Sequence, residues 1–149
     1  MIKTGAQHIE MLRDSRVVYI NGQTAGDVTT HPAFRQTIRS VGALYDFQAR
    51  SDNRELMTFE VPESGGQRAN RIWQLPRSHA DLVERRKALE AWTELHCGFL
   101  GRAPDHVASC ISGMFMGIEV FEAYDKARAA ALADYYRYAR DNELYLTYV

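Results

Sequence analysis

The chain has 149 residues, 46% of them hydrophobic and 25% charged, which is the composition of a soluble globular protein of one ordinary domain. Eighteen basic and nineteen acidic residues give a net charge of -1, which argues against a nucleic-acid partner. No apolar run reaches the roughly 18 residues that a membrane span requires, and no secretory signal is recognisable. We therefore expect a cytoplasmic protein without a membrane partner.

The cysteines and histidines do not have the spacing of a metal site. Cys97 and Cys110 are thirteen residues apart, which matches neither a redox pair nor a zinc knuckle. We expect both to be reduced, buried thiols. The five histidines are scattered without an H-E-x-x-H arrangement, so we expect no metal.

The first part of the chain predicts a helix followed by a hairpin. Thr4 is a suitable N-cap for a helix over residues 6–14. Residues 16–20 are β-branched and aromatic, and Asn21-Gly22 is a strong tight-turn signal before a weaker second strand. This pattern is typical of a small β-hairpin.

A second helix and a second hairpin follow. Thr30-His31-Pro32 predicts a helix start, and apolar residues then recur at helical spacing as far as Ala49. Residues 56–61 and 70–75 are β-prone and flank a turn over residues 62–66. We expect them to form an extended pair.

A long helix is predicted after Ser78 and Asp81, which resemble a capping box. Its apolar side is predicted to comprise Leu82, Leu89, Trp92, Leu95 and Phe99. Its solvent-facing side is predicted to comprise Glu84, Arg85, Arg86, Lys87 and Glu90.

The last third of the chain predicts two more helical segments and a strand. Residues 107–121 are rich in small and soft side chains, which favour tight helix packing. Residues 125–140 predict a helix that packs through Ala127, Ala131, Tyr135 and Tyr138. Residues 144–149 are β-prone and would be an unpaired edge in a finished domain.

Residues 101–106, Gly-Arg-Ala-Pro-Asp-His, form the candidate site. The glycine follows one helical pattern and the proline suits the first turn of the next, so Arg102 falls in the connection and His106 in the first turn. A guanidinium and a helix N-terminus together favour an anion such as a carboxylate, phenolate or phosphate. The same residues also fit a surface turn in which Arg102 pairs with Asp105.

Five segments in order carry a family resemblance along nearly the whole chain. They are Thr4-Gly5 with Leu12-Arg13-Asp14, the run Val17-Val18-Tyr19-Ile20-Asn21-Gly22, the run Asp27-Val28-Thr29-Thr30-His31-Pro32-Ala33-Phe34, the run Gly98-Phe99-Leu100-Gly101-Arg102-Ala103-Pro104-Asp105, and the run Leu144-Tyr145-Leu146-Thr147-Tyr148. In this order they resemble the N-terminal domain of the 4-hydroxyphenylacetate 3-monooxygenase family. That family comprises oxygenase components of two-component, reduced-flavin-dependent phenol hydroxylases.

The resemblance implies a mainly α fold with small β-hairpins, the helical N-terminal domain of an acyl-CoA dehydrogenase-like subunit, over residues 1–149. In the family, a central β-barrel and a C-terminal four-helix domain follow, and the subunits form a tetramer. We therefore expect a homo-oligomer, with the remaining domains absent from this chain.

The resemblance also implies that Arg102 and His106 contact a phenolic substrate, with Ala103, Pro104 and Asp105 in the same binding segment. Arg102 would stabilise the phenolate, and His106 would accept or share the proton, because imidazoles exchange protons near neutral pH.

The strand that leaves the domain would bring Tyr148 and Val149 to the flavin, and Tyr148 also to the substrate. The founding enzymes of the family carry tyrosine where His106 stands and histidine where Tyr148 stands. These departures argue against 4-hydroxyphenylacetate itself and leave the phenol class as the expected substrate.

The implied cofactor is FAD, bound as FADH2 and supplied by a flavin reductase component. No glycine-rich phosphate loop occurs in the sequence, so we expect the segment alone to be inactive and not to bind flavin. A stand-alone helical binding or assembly module is the alternative. The related 4-hydroxybutyryl-CoA dehydratases are disfavoured, because Cys97 and Cys110 lack their close cysteine pairing.

Overall fold

The computed structural model describes residues 2–100 and 105–146. In chain order its elements are α1 (Gly5–Met11), β1 (Val18–Ile20), β2 (Gln23–Ala25), α2 (Arg35–Ala49), a 3-10 turn (Ser51–Asn53), α3 (Arg54–Met57), β3 (Thr58–Glu60), β4 (Arg68–Asn70), a 3-10 turn (Arg71–Trp73), α4 (His79–His96), α5 (Asp105–Met116), α6 (Ile118–Tyr124) and α7 (Lys126–Asp141). The expected mainly helical fold with small hairpins is confirmed. The contacts divide the chain into two compact units, residues 3–54 and residues 55–149 with 1–2.

In the unit of residues 3–54, α1 packs closely on α2. Thr4 caps α1 as predicted: its hydroxyl accepts from the Gln7 amide, and the Gln7 side chain accepts from the Thr4 amide at 2.8 Å. A Cβ on Gly5 would overlap the carbonyl oxygen of Gly42, so only glycine fits at this crossing.

The same unit buries a histidine between the helices. The His8 ring stacks on the Tyr45 ring with centroids 4.5 Å apart, and the Lys3 ammonium lies 4.5 Å from the centre of the same tyrosine ring. Burial, and after it the charges of Lys3 and Arg16, lower the pKa of His8 from 6.5 to about 4. His8 is therefore neutral at physiological pH.

The first hairpin is confirmed with the predicted turn. β1 and β2 pair antiparallel with Ile20 opposite Gln23, and Asn21 and Gly22 have φ of 50° and 76°, as a two-residue turn of this hand requires. The next helix starts later than the sequence predicts. Asp27 accepts from the amide and hydroxyl of Thr29 and holds a separate turn, so α2 begins only at Arg35.

The second hairpin is shorter than predicted. β3 and β4 pair Thr58 with Asn70, whereas residues 56–57 belong to α3 and residues 71–73 form a 3-10 turn. The Asn70 side chain accepts from the Ile72 amide at 2.9 Å and so ends the strand. The prediction of a strand over residues 70–75 was therefore wrong.

The core of the unit of residues 55–149 surrounds the Arg71–Trp73 turn. Trp73 and Tyr136 are fully buried, and the Tyr136 hydroxyl donates to the Trp73 carbonyl at 2.6 Å. The Phe115 ring stacks on Tyr136 with centroids 4.5 Å apart. These contacts join the turn to α5 and α7.

The capping box of α4 is confirmed, but its predicted apolar side is only partly buried. Ser78 and Asp81 cap each other reciprocally. Trp92 is buried, together with Ala88, whereas Leu82, Leu95 and Phe99 are exposed, Phe99 at 91%. The periodicity did not distinguish the side of the helix that packs.

The packing side of α7 was also predicted wrongly. The buried side of α7 comprises Ala129, Tyr136, Ala139 and Arg140. The predicted set, Ala127, Ala131, Tyr135 and Tyr138, is exposed.

Three further expectations change in the described part of the chain. The segment 107–121 divides at Gly117 into α5 and α6. Residues 144–146 form no strand, and residues 147–149 lie outside the described residues. Cys97 and Cys110 are free as expected but exposed, not buried.

Within residues 2–100 and 105–146, no single helix is long and apolar enough to cross a membrane. Taken together, α5 and α6 would be long and apolar enough, but the two helices are bent by 61° relative to each other.

The Gly5 crossing is testable with Gly5→Ala. We expect this change to destabilise the chain by about 2–4 kcal/mol, because the added methyl must push α1 off α2. Gly113→Ala is the matched control, since a Cβ there meets no atom within 4 Å and alanine favours a helix. Urea unfolding measures both, and equal stability of the two variants would contradict the close packing.

The buried His8 predicts a loss of stability in acid. As pH falls from 6.5 to about 4, His8 becomes protonated in the unfolded chain but stays neutral in the folded one. The free energy of unfolding therefore falls by up to about 1.4 kcal/mol per pH unit in this window. His8→Phe keeps a ring on Tyr45 and removes the titration, so its stability should depend less on pH in this window. Denaturant unfolding of both proteins between pH 7 and 4 tests this, with the exposed His79→Gln as control. Parallel curves for wild type and His8→Phe would refute it.

Candidate functional site

The structure describes two of the predicted site residues. Asp105 is the first residue of α5, and His106 is exposed in its first turn. Arg102, Ala103, Pro104, Tyr148 and Val149 lie outside the described residues. Their grouping with His106 remains a prediction.

A chain of hydrogen bonds fixes the first turn of α5. The Arg85 guanidinium of α4 donates to the Ser109 hydroxyl at 2.6 Å, and that hydroxyl donates to the Asp105 carbonyl at 2.5 Å. Arg85 also donates to the Ile72 carbonyl at 3.0 Å, which ties the same guanidinium to the Arg71–Trp73 turn. The position of the turn that carries His106 therefore depends on Arg85.

The charge of Arg85 is not neutralised by contact with a carboxylate of the described residues. Burial lowers the pKa of Arg85, and the charge of nearby Asp105 opposes this effect. Burial also raises the pKa of the Tyr145 phenol, and Asp105 raises it further. The Asp105 carboxylate thus acts electrostatically on the Arg85 guanidinium and on the Tyr145 phenol. Tyr145 lies three residues before Tyr148, one of the predicted site residues.

Sequence reasoning placed Arg85 on the solvent-facing side of α4, which was wrong. Arg85 lies three residues before Ala88 and seven before Trp92, and both of these are buried. That spacing puts it on the packed side of the helix. The helical spacing could have identified Arg85 as a packed residue, but a charged side chain is usually assigned to solvent.

Cavities occur in both units of the described chain. One, of about 540 Å³, is a cleft whose basic lining residues are Arg68, Arg71, Arg77 and Arg140, and we call it the arginine cleft. Another, of about 370 Å³, is lined by Ile9, Thr29, Thr30, Arg35, Ile38 and Arg39. Neither is lined by Asp105 or His106. No group of metal-ligating side chains occurs in the described part of the chain.

Comparison with known proteins identifies the family. Residues 4–149 match the family described as 4-hydroxyphenylacetate 3-hydroxylase N terminal. The chain belongs to this family. It is 35% identical over 147 residues to the 4-hydroxyphenylacetate 3-monooxygenase oxygenase component of Geobacillus sp. (strain PA-9), covering 98% of this chain and 29% of the relative.

A second relative acts on a different phenol. The 4-nitrophenol 2-monooxygenase oxygenase component of Rhodococcus sp. is 35% identical over 145 residues, covering 97% of this chain and 27% of that protein. The chain thus spans less than a third of the length of these relatives.

Solved structures agree with the family and the fold. The oxygenase component of 4-hydroxyphenylacetate 3-monooxygenase complexed with FAD matches at 32% identity and a TM-score of 0.86, over 96% of this chain and 29% of that one. An archaeal 4-hydroxybutyryl-CoA dehydratase from N. maritimus matches at 18% identity and a TM-score of 0.80, over 97% of this chain and 28% of that one, which shows a shared fold alone. The expected acyl-CoA dehydrogenase-like fold is confirmed.

The hydrogen-bond chain at α5 predicts a specific cost for Ser109→Ala. Removing the hydroxyl leaves a half-buried guanidinium one acceptor short, so we expect a loss of about 1–3 kcal/mol and faster amide exchange in the first turn of α5. Ser112→Ala is the control, because the buried Ser112 hydroxyl has no hydrogen-bond partner among the described residues. Urea unfolding and hydrogen exchange measure both. A Ser112→Ala cost equal to that of Ser109→Ala would contradict the role of the chain.

Proposed function

We propose that the chain is the N-terminal part of a reduced-flavin-dependent monooxygenase that hydroxylates a phenol ortho to its hydroxyl, and that it is inactive alone. The observation that carries this proposal is similarity along residues 4–149 to oxygenase components named for 4-hydroxyphenylacetate and 4-nitrophenol. Both compounds are phenols. We extend the phenol class to this chain without choosing one member.

Two observations support the proposal that the isolated chain is inactive. It spans about 29% of the Geobacillus relative. His106, Cys110 and Gly113 are exposed along one side of α5, and a Cβ on Gly113 would meet no atom within 4 Å. The described residues could supply one wall of a flavin site but do not enclose a flavin.

Arg102 and His106 are proposed to handle the substrate. A guanidinium beside the phenol oxygen stabilises the phenolate, which makes the ring more electron-rich, and an imidazole next to it takes or shares the proton. The position of His106, exposed in the first turn of α5, supports this role. Arg85 and Ser109 would hold that turn in place.

The relatives support a proposal for the cofactor and the partners. A structure of the solved oxygenase component contains FAD and 4-hydroxyphenylacetate. Reduced FAD, when bound, would supply the electrons that activate dioxygen for the hydroxylation. We propose a flavin reductase as the source of the reduced FAD and a homo-oligomer as the assembly. Tyr148 and Val149 are proposed to approach the flavin, with Tyr148 also near the substrate.

A chimera tests the proposal. In it, this chain replaces the matched N-terminal region of the Geobacillus oxygenase component, and FADH2 is supplied by a reductase. We expect conversion of a phenol to a catechol, and a loss of about 10²–10³-fold in kcat/KM for Arg102→Gln and of at least about 10²-fold for His106→Ala. His79→Gln, at an exposed histidine of α4, is the control. Product is measured by chromatography.

Two results would overturn the proposal. One is a chimera that binds FAD and assembles but hydroxylates no phenol, or does so equally well after Arg102→Gln. The other is tight flavin binding or turnover by the 149-residue chain alone, measured by fluorescence titration and product analysis. The second experiment needs no chimera, so the proposal can still be tested if the chimera fails to fold.

A further inference from the structure

The arginine cleft lies entirely within residues 55–140 and has no role in the function proposed above. Its volume of about 540 Å³ is within the range of small-molecule sites, about 300–1,000 Å³. Phe59 and Leu75 give it an apolar part, and four guanidinium groups line the rest.

Two of the guanidinium groups share one backbone acceptor. Arg68 and Arg71 both donate to the Thr58 carbonyl, at 3.1 and 2.8 Å, so two like charges lie side by side. The remaining contacts of Arg71 are the Leu56 and Glu55 carbonyls and the Gln74 side chain, all of them neutral. The charge of Arg71 is therefore solvated by dipoles and not cancelled by a carboxylate in contact with it.

Acidic residues also face the cleft, and burial decides which sign dominates its interior. Glu55, Glu60, Glu63 and Asp81 line it together with the four arginines. Glu55 pairs with Arg68, but the Glu55 side chain is 80% exposed and that of Arg68 only 17%. Arg71 as a residue is 8% exposed. Buried charges are screened less than exposed ones, so the floor near Arg68 and Arg71 is cationic and the rim acidic.

The other two arginines differ in how far they are neutralised. Arg140 is held by Glu63 at 2.6 Å and Asp141 at 2.8 Å. The Arg77 guanidinium has no hydrogen bond or ion pair with the described residues, and the Arg68 Nη1 group donates to none of them. Arg77 and Arg68 thus offer free donors to an incoming group.

We propose that the arginine cleft binds an organic anion, a phosphate ester or carboxylate, whose charged group reaches Arg68, Arg71 and Arg77 and whose apolar body lies against Phe59 and Leu75. Guanidinium groups bind such anions in charge-assisted, two-pronged hydrogen bonds. Asp81 does not compete for Arg77, because its carboxylate accepts from the Arg77 and Ser78 amides and caps α4. Glu60 at the rim weakens binding by repulsion.

Titrations of the isotope-labelled 149-residue chain, followed by amide chemical shifts, test this with phenyl phosphate, benzoate, inorganic phosphate and neutral benzyl alcohol. We expect saturable shifts at residues 58–60 and 68–77 with the anions, weakened by salt. Tighter binding of phenyl phosphate than benzoate assigns the phosphate class, and the reverse assigns the carboxylate class.

Variants make the test specific. Arg77→Gln should weaken binding of the tighter anion about 5-fold or more, and Glu60→Gln should strengthen it about 2-fold. Arg86→Gln is the matched control, because it removes the same charge from an exposed position of α4 outside the cleft. Absence of saturable shifts at about 20 mM anion, equal binding of benzyl alcohol, or equal effects of Arg77→Gln and Arg86→Gln would overturn the proposal.

Discussion

The backbone carbonyls of the Arg71–Trp73 turn organise the unit of residues 55–149. The Ile72 carbonyl accepts from Arg85 of α4, and the Trp73 carbonyl accepts from Tyr136 of α7. Arg85 continues from this turn to Ser109 and so to α5. Two long helices, and a third through Arg85, are therefore hydrogen-bonded to one short 3-10 turn. Buried carbonyls must be paired, so this turn sets where α4 and α7 place their donors.

The sequence predicted those features that depend on neighbouring residues. The caps at Thr4 and Ser78 and the Asn21-Gly22 turn were predicted correctly, because a cap or a tight turn is decided within four residues. The Asn70 turn was missed, although Asn70 is also a local signal, because the β-prone residues after it fit a strand equally well. The turn after Asn70 is set by tertiary contacts, because Arg85 and Tyr136 donate to its carbonyls from distant helices.

Packing sides were harder to predict than elements. α7 carries small and aromatic residues on two sides, and periodicity alone gives each side the same standing. The buried side contains Arg140, a residue that hydropathy assigns to solvent, and Arg85 on α4 was misplaced for the same reason. In both cases the aliphatic part of the arginine side chain packs against the protein, and its guanidinium donates to carbonyls or carboxylates. The candidate site was predicted from a motif, of which the structure describes Asp105 and His106, so its geometry around Arg102 remains a prediction.

The shared Thr58 carbonyl has a consequence for how the arginine cleft responds to its surroundings. A carboxylate loses its ion pair with an arginine once it is protonated, whereas a peptide carbonyl does not titrate in water. Arg71 is held by carbonyls and an amide, and arginine itself keeps its proton throughout the range in which proteins fold. The cationic floor that Arg71 forms with Arg68 is therefore a fixed charge held by the backbone, and acidification leaves it in place. In this respect the cleft resembles the immobile groups of an ion-exchange matrix more than a network of salt bridges.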